Sequence, residues 1–203
     1  MRKNRSKNIY LHNLRNRFGN FQLQYLQRKQ DGSINRTKRY DLLWFFNSTV
    51  DKKEYERRNW MFNRMNQRTL LDNEIILDID HVNKKQAKLK IKTLLNHKDF
   101  KTIFENRLDS KGTIINIRFL EVFESNSGYH IHILYDRGID DDYRRFILNN
   151  IKRATNNSTI DSQILSKHMI ALEFSEHWKN NNIIKKPIDI TSLYKKRWIK
   201  YEK

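Results

Sequence analysis

Two aspartates stand one residue apart at the end of an apolar run, in EIILDID (residues 74–80). Strand alternation would send Asp78 and Asp80 to one face and Leu77 and Ile79 to the other. Two carboxylates held together repel, and a divalent cation removes that penalty. Hard oxygen donors favour magnesium or manganese over zinc. The same acids could instead end a strand in solvent, or pair with some of the many Lys and Arg residues. A second candidate lies in FESNSGYHIHILYD (123–136), where His130 and His132 fall on one face of a strand. They could hold a metal, one could grip a nucleotide's phosphates, or both could be an ordinary polar surface. Two-metal phosphoryl chemistry draws carboxylates from more than one strand to ions roughly 4 Å apart, so a third acid is needed. Asp161, in NSTIDSQIL, is the candidate, although an Asp in a polar loop is more often a turn or cap residue.

Positioning these groups requires a sheet, and the pattern around them predicts one. KKEYERRNWMFNRM (52–65) suits a helix ending near the polar NQRT, and EIILDID follows as a strand. KKQAKLKIKTLLNH (84–97) and DFKTIFENRL (99–108) space apolar residues three and four apart, as helices covering a sheet do. TIINIRFLEVFE (113–124) and YHIHILYD (129–136) flank the tight SNSG connection and predict a hairpin. DDDYRRFILNNIKRA (140–154) begins with acids and ends with bases, matching the charge preference of helix ends. A further strand is expected around KHMIALEF (167–174). The expected fold is α+β: an RRM-like split βαβ core with a four-stranded antiparallel sheet, two helices on one face and the other face free for a site.

Lys and Arg total 41 against 23 Asp and Glu, a formal charge of +18 over 203 residues. Such a field favours polyanions, chiefly nucleic acid. No apolar run approaches the ~20 residues of a membrane span, and the basic first residues lack the apolar core of an export signal. A cytoplasmic protein is expected, with no membrane partner. The chain has no cysteine, so any metal must sit on oxygen or imidazole. One proline and five glycines mark no linker, which predicts a single domain, 1–203. Within it, residues 1–50 read as a basic extension, helical or irregular, with scattered aromatics such as Tyr10, Phe18, Phe21 and Tyr25. Residues 51–180 read as the core and 181–203 as a basic tail.

At this point the sequence resembles a family, the catalytic subunit of archaeo-eukaryotic primases and the related primase-polymerases. Their pattern is a hydrophobic strand ending Asp-x-Asp, then Ser-Gly-x-x-Gly-x-His, then a later Asp. Here these become LDID, SNSGYHIHI and TIDSQIL, in the same order. HMIALEFSEHWK (168–179) is similar to a later stretch of the archaeal members, with Ser175, His177 and Lys179 matching Ser-x-His-x-Lys. ERRNWMF resembles the Arg-rich segment upstream of the acidic strand, so the likeness covers roughly residues 55 to 180. The family's turn has one more residue between serine and histidine, so Ser125 and Ser127 compete for that role. Ala171 and Glu173 stand where archaeal members have arginine and proline, and the zinc knuckle is missing. A minimal member, such as one from a plasmid or virus, would fit these departures.

The resemblance implies a template-dependent DNA or RNA primase-polymerase in which Asp78, Asp80 and Asp161 hold two magnesium or manganese ions. It implies that His130, a turn serine, Ser175, His177 and Lys179 bind the triphosphate of an incoming nucleotide, and that Arg57 and Arg58 track single-stranded DNA. An accessory primase subunit or a helicase would be a fitting partner. Two other readings compete. HIHIL is also the metal signature of rolling-circle initiators and relaxases, where His130 and His132 would share one cation, with Glu121 or Glu124 as the upstream acid. Their nucleophile would have to be Tyr143, Tyr194 or Tyr201, none of which has the expected lysine spacing. A basic split βαβ domain could also bind nucleic acid with no catalysis at all.

Overall fold

A computed structural model describes residues 2–80, 83–98, 112, 115–154, 156, 160 and 165–189. In chain order the elements begin with α1 (Arg2–Phe18), β1 (Gln22–Gln24), β2 (Leu26–Arg28), β3 (Ile34–Arg36), β4 (Tyr40–Asp41), α2 (Leu42–Phe46), α3 (Lys52–Arg64) and β5 (Gln67–Thr69). There follow β6 (Glu74–Asp80), α4 (Lys84–Leu95), β7 (Ile117–Glu124), β8 (Gly128–Tyr135) and α5 (Asp141–Ala154). The last strands are β9 (Met169–Ala171), β10 (Glu176–His177), β11 (Asn180–Ile184) and β12 (Lys186–Pro187). The protein is mixed α+β, and all strand pairings among the described residues are antiparallel. It divides into two compact units, Met1–Leu71 with Lys167–Lys185 and Asp72–Ser166 with Lys186–Lys203. These divisions fall at positions other than the 50 and 180 expected from the sequence.

In the first unit, a sheet of order β4-β1-β5-β9 is accompanied by the hairpins β2-β3 and β10-β11. Residues 2–50 are therefore two helices and short paired strands rather than an arm, and Leu11, Leu14, Phe21, Leu23, Leu42 and Phe45 are buried. The strand expected near KHMIALEF is β9, but it pairs with β5 through Arg68↔Ile170 instead of joining the sheet that carries the acids. Helix α3 starts at Asp51, whose carboxylate accepts from the Glu54 amide at 2.8 Å, satisfying a donor that the first turn leaves open. It ends under the ammonium of buried Lys7, which donates to the carbonyls of Phe62 (3.1 Å) and Met65 (2.6 Å). Arg68 makes a two-pronged pair with Glu173 (2.9 and 3.0 Å), and Lys185 Nζ reaches the same carboxylate at 3.1 Å. All three side chains are buried, so each charge depends on the others for the solvation it has lost.

The second unit runs β6, α4, β7, β8, α5, with the sheet ordered β12-β7-β8-β6. Alternate apolar residues of β6 face one way: Ile75, Leu77 and Ile79 join Leu120, Val122, Ile131 and Ile133 in one buried cluster, while Ile76 is buried on the other face. Helix α4 adds Ala87, Ile91, Leu94 and Leu95 to it, and α5 adds Tyr143, Ile147, Leu148 and Ile151. Asp141 and Asp142 open α5 and Lys152 and Arg153 close it, as the helix dipole prefers. Buried Arg144 ties α5 to the start of β6, donating to the carbonyls of Glu74 and Asp72. The segment 99–108, expected as a helix, lies outside the described residues.

Glu173→Ala would leave Arg68 and Lys185 buried without their carboxylate. A loss of about 3–5 kcal/mol in urea unfolding is expected. Lys7 gives a second test. Burial pulls its pKa from 10.5 down to about 7, against an opposing attraction from Glu176. Between pH 7 and 10 the unfolded chain then holds a proton that the folded chain lacks, so stability rises with pH there, by up to ~1.4 kcal/mol per pH unit. Lys7→Met should lack this increment when the two proteins are unfolded side by side across that range.

Candidate active site

The register of β6 against β8 sets Asp78 opposite His130, Asp80 opposite Gly128 and Ile76 opposite His132. Across β7 and β8, Phe123 faces His130 and Glu121 faces His132. Directly opposed residues share a face of an antiparallel sheet. Glu74, Asp78, Asp80, His130, His132 and Glu121 therefore occupy the face opposite the helices, and strand alternation predicts this sharing for Asp78 with Asp80 and for His130 with His132.

At the end of this ladder, His130 Nε2 lies 3.4 Å from Asp78 Oδ1. The hydroxyl of Ser127 donates to Asp80 Oδ1 at 2.8 Å. Two carboxylates, an imidazole and a hydroxyl thus gather where the hairpin turn meets the acidic strand. Of the two competing serines, Ser127 reaches the acids. Ser125 is buried, and its backbone amide closes the turn on the Gly128 carbonyl at 2.9 Å. Gly128 lets the strands approach, because a Cβ there would stand 2.0 Å from the Ile79 carbonyl oxygen. This close contact depends on the pairing partner and is invisible in the residue pattern.

His132 has a different environment. Its Nδ1 is 2.7 Å from Glu74 Oε1, and both side chains have no exposed surface. Its ring meets Phe123 edge to face at 4.9 Å between centroids, and lies 6.2 Å from the ring of His130, nearly parallel to it. An ionised Glu74 would fix the shared proton on Nδ1 and lock the ring's orientation. In the sequence Glu74 reads as the polar start of a strand; two-residue alternation from Asp78 is the signal that places it on this face. Glu124 points to the other face, where the Lys84 ammonium at 2.6 Å holds its carboxyl below the usual range, with Lys186 adding a smaller pull.

Asp161 lies outside the described residues. The residue before it, Ile160, makes an antiparallel bridge to Ile79, between the two aspartates of β6. Among the described residues no three His, Asp or Glu side chains form a ready metal cage. Asp78 and Asp80 still supply the hard oxygen donors that magnesium or manganese prefers, on one face and one residue apart.

The remaining candidates belong to the first unit. Ser175 is buried, with its hydroxyl 3.5 Å from the Glu173 carbonyl. His177 Nδ1 accepts from the Lys179 amide at 3.2 Å, and Lys179 Nζ stands 5.1 Å from the Trp178 ring centroid. Arg57 and Arg58 both bind Glu54, at 2.6 and 2.7 Å, and together hold its carboxyl down to about 2. Arg58 also donates to the Trp44 carbonyl and stacks on that ring at 4.3 Å, so it serves the packing of α2 on α3. Tyr143 is buried in the core cluster, in ring contact with Tyr135. Tyr194 and Tyr201 lie outside the described residues. No described helix is long and apolar enough to cross a membrane.

Comparison with protein families, with curated proteins and with solved structures finds no match to this chain.

Gly128→Ala is the local test of this geometry. The added methyl must force β8 away from β6 beside Asp80, at an expected cost of roughly 3 kcal/mol. Urea unfolding measures that cost, and an unchanged midpoint would contradict the close approach.

Proposed function

We propose that this protein is a template-dependent nucleotidyltransferase of the primase-polymerase type, using two magnesium or manganese ions on single-stranded DNA. The observation that carries the reading is the cross-strand meeting of Asp78 with His130, with Ser127 on Asp80, at the mouth of a tight hairpin. Asp78 and Asp80, with Asp161 as third carboxylate, would hold the cations. The ions would lower the pKa of a primer hydroxyl and neutralise charge on the transferring phosphate. His130 and Ser127 would donate to the triphosphate from beside the acids. Ser175, His177 and Lys179 enter on the resemblance alone.

The topology supports the same reading. The order β6-α4-β7-β8-α5, with β8 between β7 and β6, is compatible with the split βαβ plan, which is the core this reading requires. The plan's fourth strand runs on the far side of its first, where the bridge of Ile160 to Ile79 lies. Asp161 follows Ile160 in sequence, and its role as third carboxylate rests on the resemblance.

The relaxase alternative keeps one favourable observation, the near-parallel imidazoles of His130 and His132 on one face. Against it, His132 is engaged by Glu74 in a fully buried pair. Tyr143 packs in the core on the opposite face of the sheet, away from both histidines.

The protein is incubated with single-stranded DNA, magnesium or manganese, and labelled nucleoside triphosphates. Chain growth is expected, falling to background in Asp78→Ala/Asp80→Ala while DNA binding holds or tightens. His130→Ala should raise the KM for nucleotide more than it lowers kcat. Product from the double variant would overturn the metal assignment. Nicking that leaves protein joined to DNA, lost with Tyr194→Phe or Tyr201→Phe, would establish the relaxase instead. DNA binding with neither product would leave a binding module.

A further inference from the structure

The basic charge is unevenly divided. The first unit carries 20 Lys and Arg against 7 Asp and Glu, whereas the second carries 21 against 16. Of the net +18, the first unit thus holds +13. Helix α3 is that unit's most exposed aromatic-bearing helix, burying only Phe62 fully. On its solvent side Lys53, Arg57, Trp60 and Arg64 recur at helical spacing, and all four are exposed. Trp60 retains 59% of its surface in water.

One exposed tryptophan is unremarkable by itself. Here it is built into a stack. The Arg64 guanidinium lies 4.6 Å from the Trp60 ring centroid and 5.0 Å from that of Tyr25, and Arg64 Nη2 is 3.4 Å from the Tyr25 hydroxyl. Tyr25 is in turn held by its hydroxyl, which donates to Gln27 at 2.7 Å. Arg64 and Tyr25 line a cleft of about 420 Å³ that also includes Asn63, Asn66, Ser175 and Glu176. An exposed aromatic ring among cations, joined through Arg64 and Tyr25 to a neighbouring cleft, is what a flexible polyanion with exposed planar bases requires. Three acids oppose it. Glu54 is neutralised by Arg57 and Arg58, which leaves Glu56 and Glu176 against Lys53 and Arg64 within a unit of strong positive charge.

From this we infer that the solvent face of α3, with Tyr25, binds single-stranded nucleic acid: Trp60 stacks on one base, while Lys53 and Arg64 bind flanking phosphates. This deepens the proposed function by assigning its template surface to residues other than Arg58, whose guanidinium is committed to Glu54 and Trp44. Binding by stacking requires neither cation nor triphosphate, so it can be read separately from catalysis.

The test is fluorescence anisotropy with a labelled oligothymidylate in EDTA. Trp60→Ala should weaken binding about tenfold or more, the range for loss of one stacked base. Trp60→Phe should restore most of it. Arg64→Ala should reduce the slope of log affinity against log salt by about 0.7, the value for one phosphate contact on a single strand. An abasic strand of equal length should bind wild type and Trp60→Ala alike. Equal affinity of wild type and Trp60→Ala for oligothymidylate would overturn the inference, as would an equal loss on the abasic strand, a preference for duplex, or no binding by wild type. Asp78→Ala/Asp80→Ala should bind as wild type does. Loss of chain growth in that variant with intact stacking, or the reverse in Trp60→Ala, separates failure of one idea from failure of the other.

Discussion

The antiparallel register of β6 on β8 is the constraint from which the candidate site follows. A slip of one residue would turn Asp78 and Asp80 toward Ala87 and Ile91 of α4 and expose Leu77 and Ile79 on the polar face. Burying carboxylates among aliphatic side chains is expensive enough to exclude that pairing. The register is held by three different means. Ile75, Leu77 and Ile79 anchor it on the core side, the hydrogen bond between Glu74 and His132 fixes it on the other, and Gly128 admits it at the turn.

The buried Glu74–His132 pair and the Asp78–His130 pair occupy neighbouring steps of one ladder but suit different tasks. The first has no exposed side-chain surface. The second lies nearer the turn, and Asp78 retains about a quarter of its side-chain surface (29%) in solvent. Two histidines that look equivalent in HIHIL are thus separated by their partners, Glu74 for His132 and Asp78 for His130.

Much of the second unit was legible because its elements are long and strongly periodic. EIILDID is β6 residue for residue, and the hairpin and both described helices fall within a few residues of their expected limits. In the first unit α3 was legible, Lys52–Arg64 against an expected 52–65, and so was β9, but most of its other strands were not, because they are two to five residues long and carry no alternation. Gln67–Thr69 reads as a polar break, yet all three residues are buried by long-range pairing. Glu173, a departure from the primase pattern in the sequence, is the carboxylate that makes Arg68 and Lys185 tolerable in the interior. The role of Ser127 was half visible: the turn could be recognised, but only the pairing of Asp80 with Gly128 decides which serine meets an acid.

The interleaving of the two units has a consequence for biosynthesis. As the chain leaves the ribosome, β5 emerges long before β9, and Arg68 must wait 105 positions for Glu173. During that interval the edge of β5 lacks its neighbour, and a guanidinium destined for the interior has no counter-ion. The intervening segment, rich in local helix and hairpin contacts, can condense meanwhile. Each unit thus waits on later residues: the first unit's sheet is complete only once β9 has emerged, and the second unit's only once β12 has followed it.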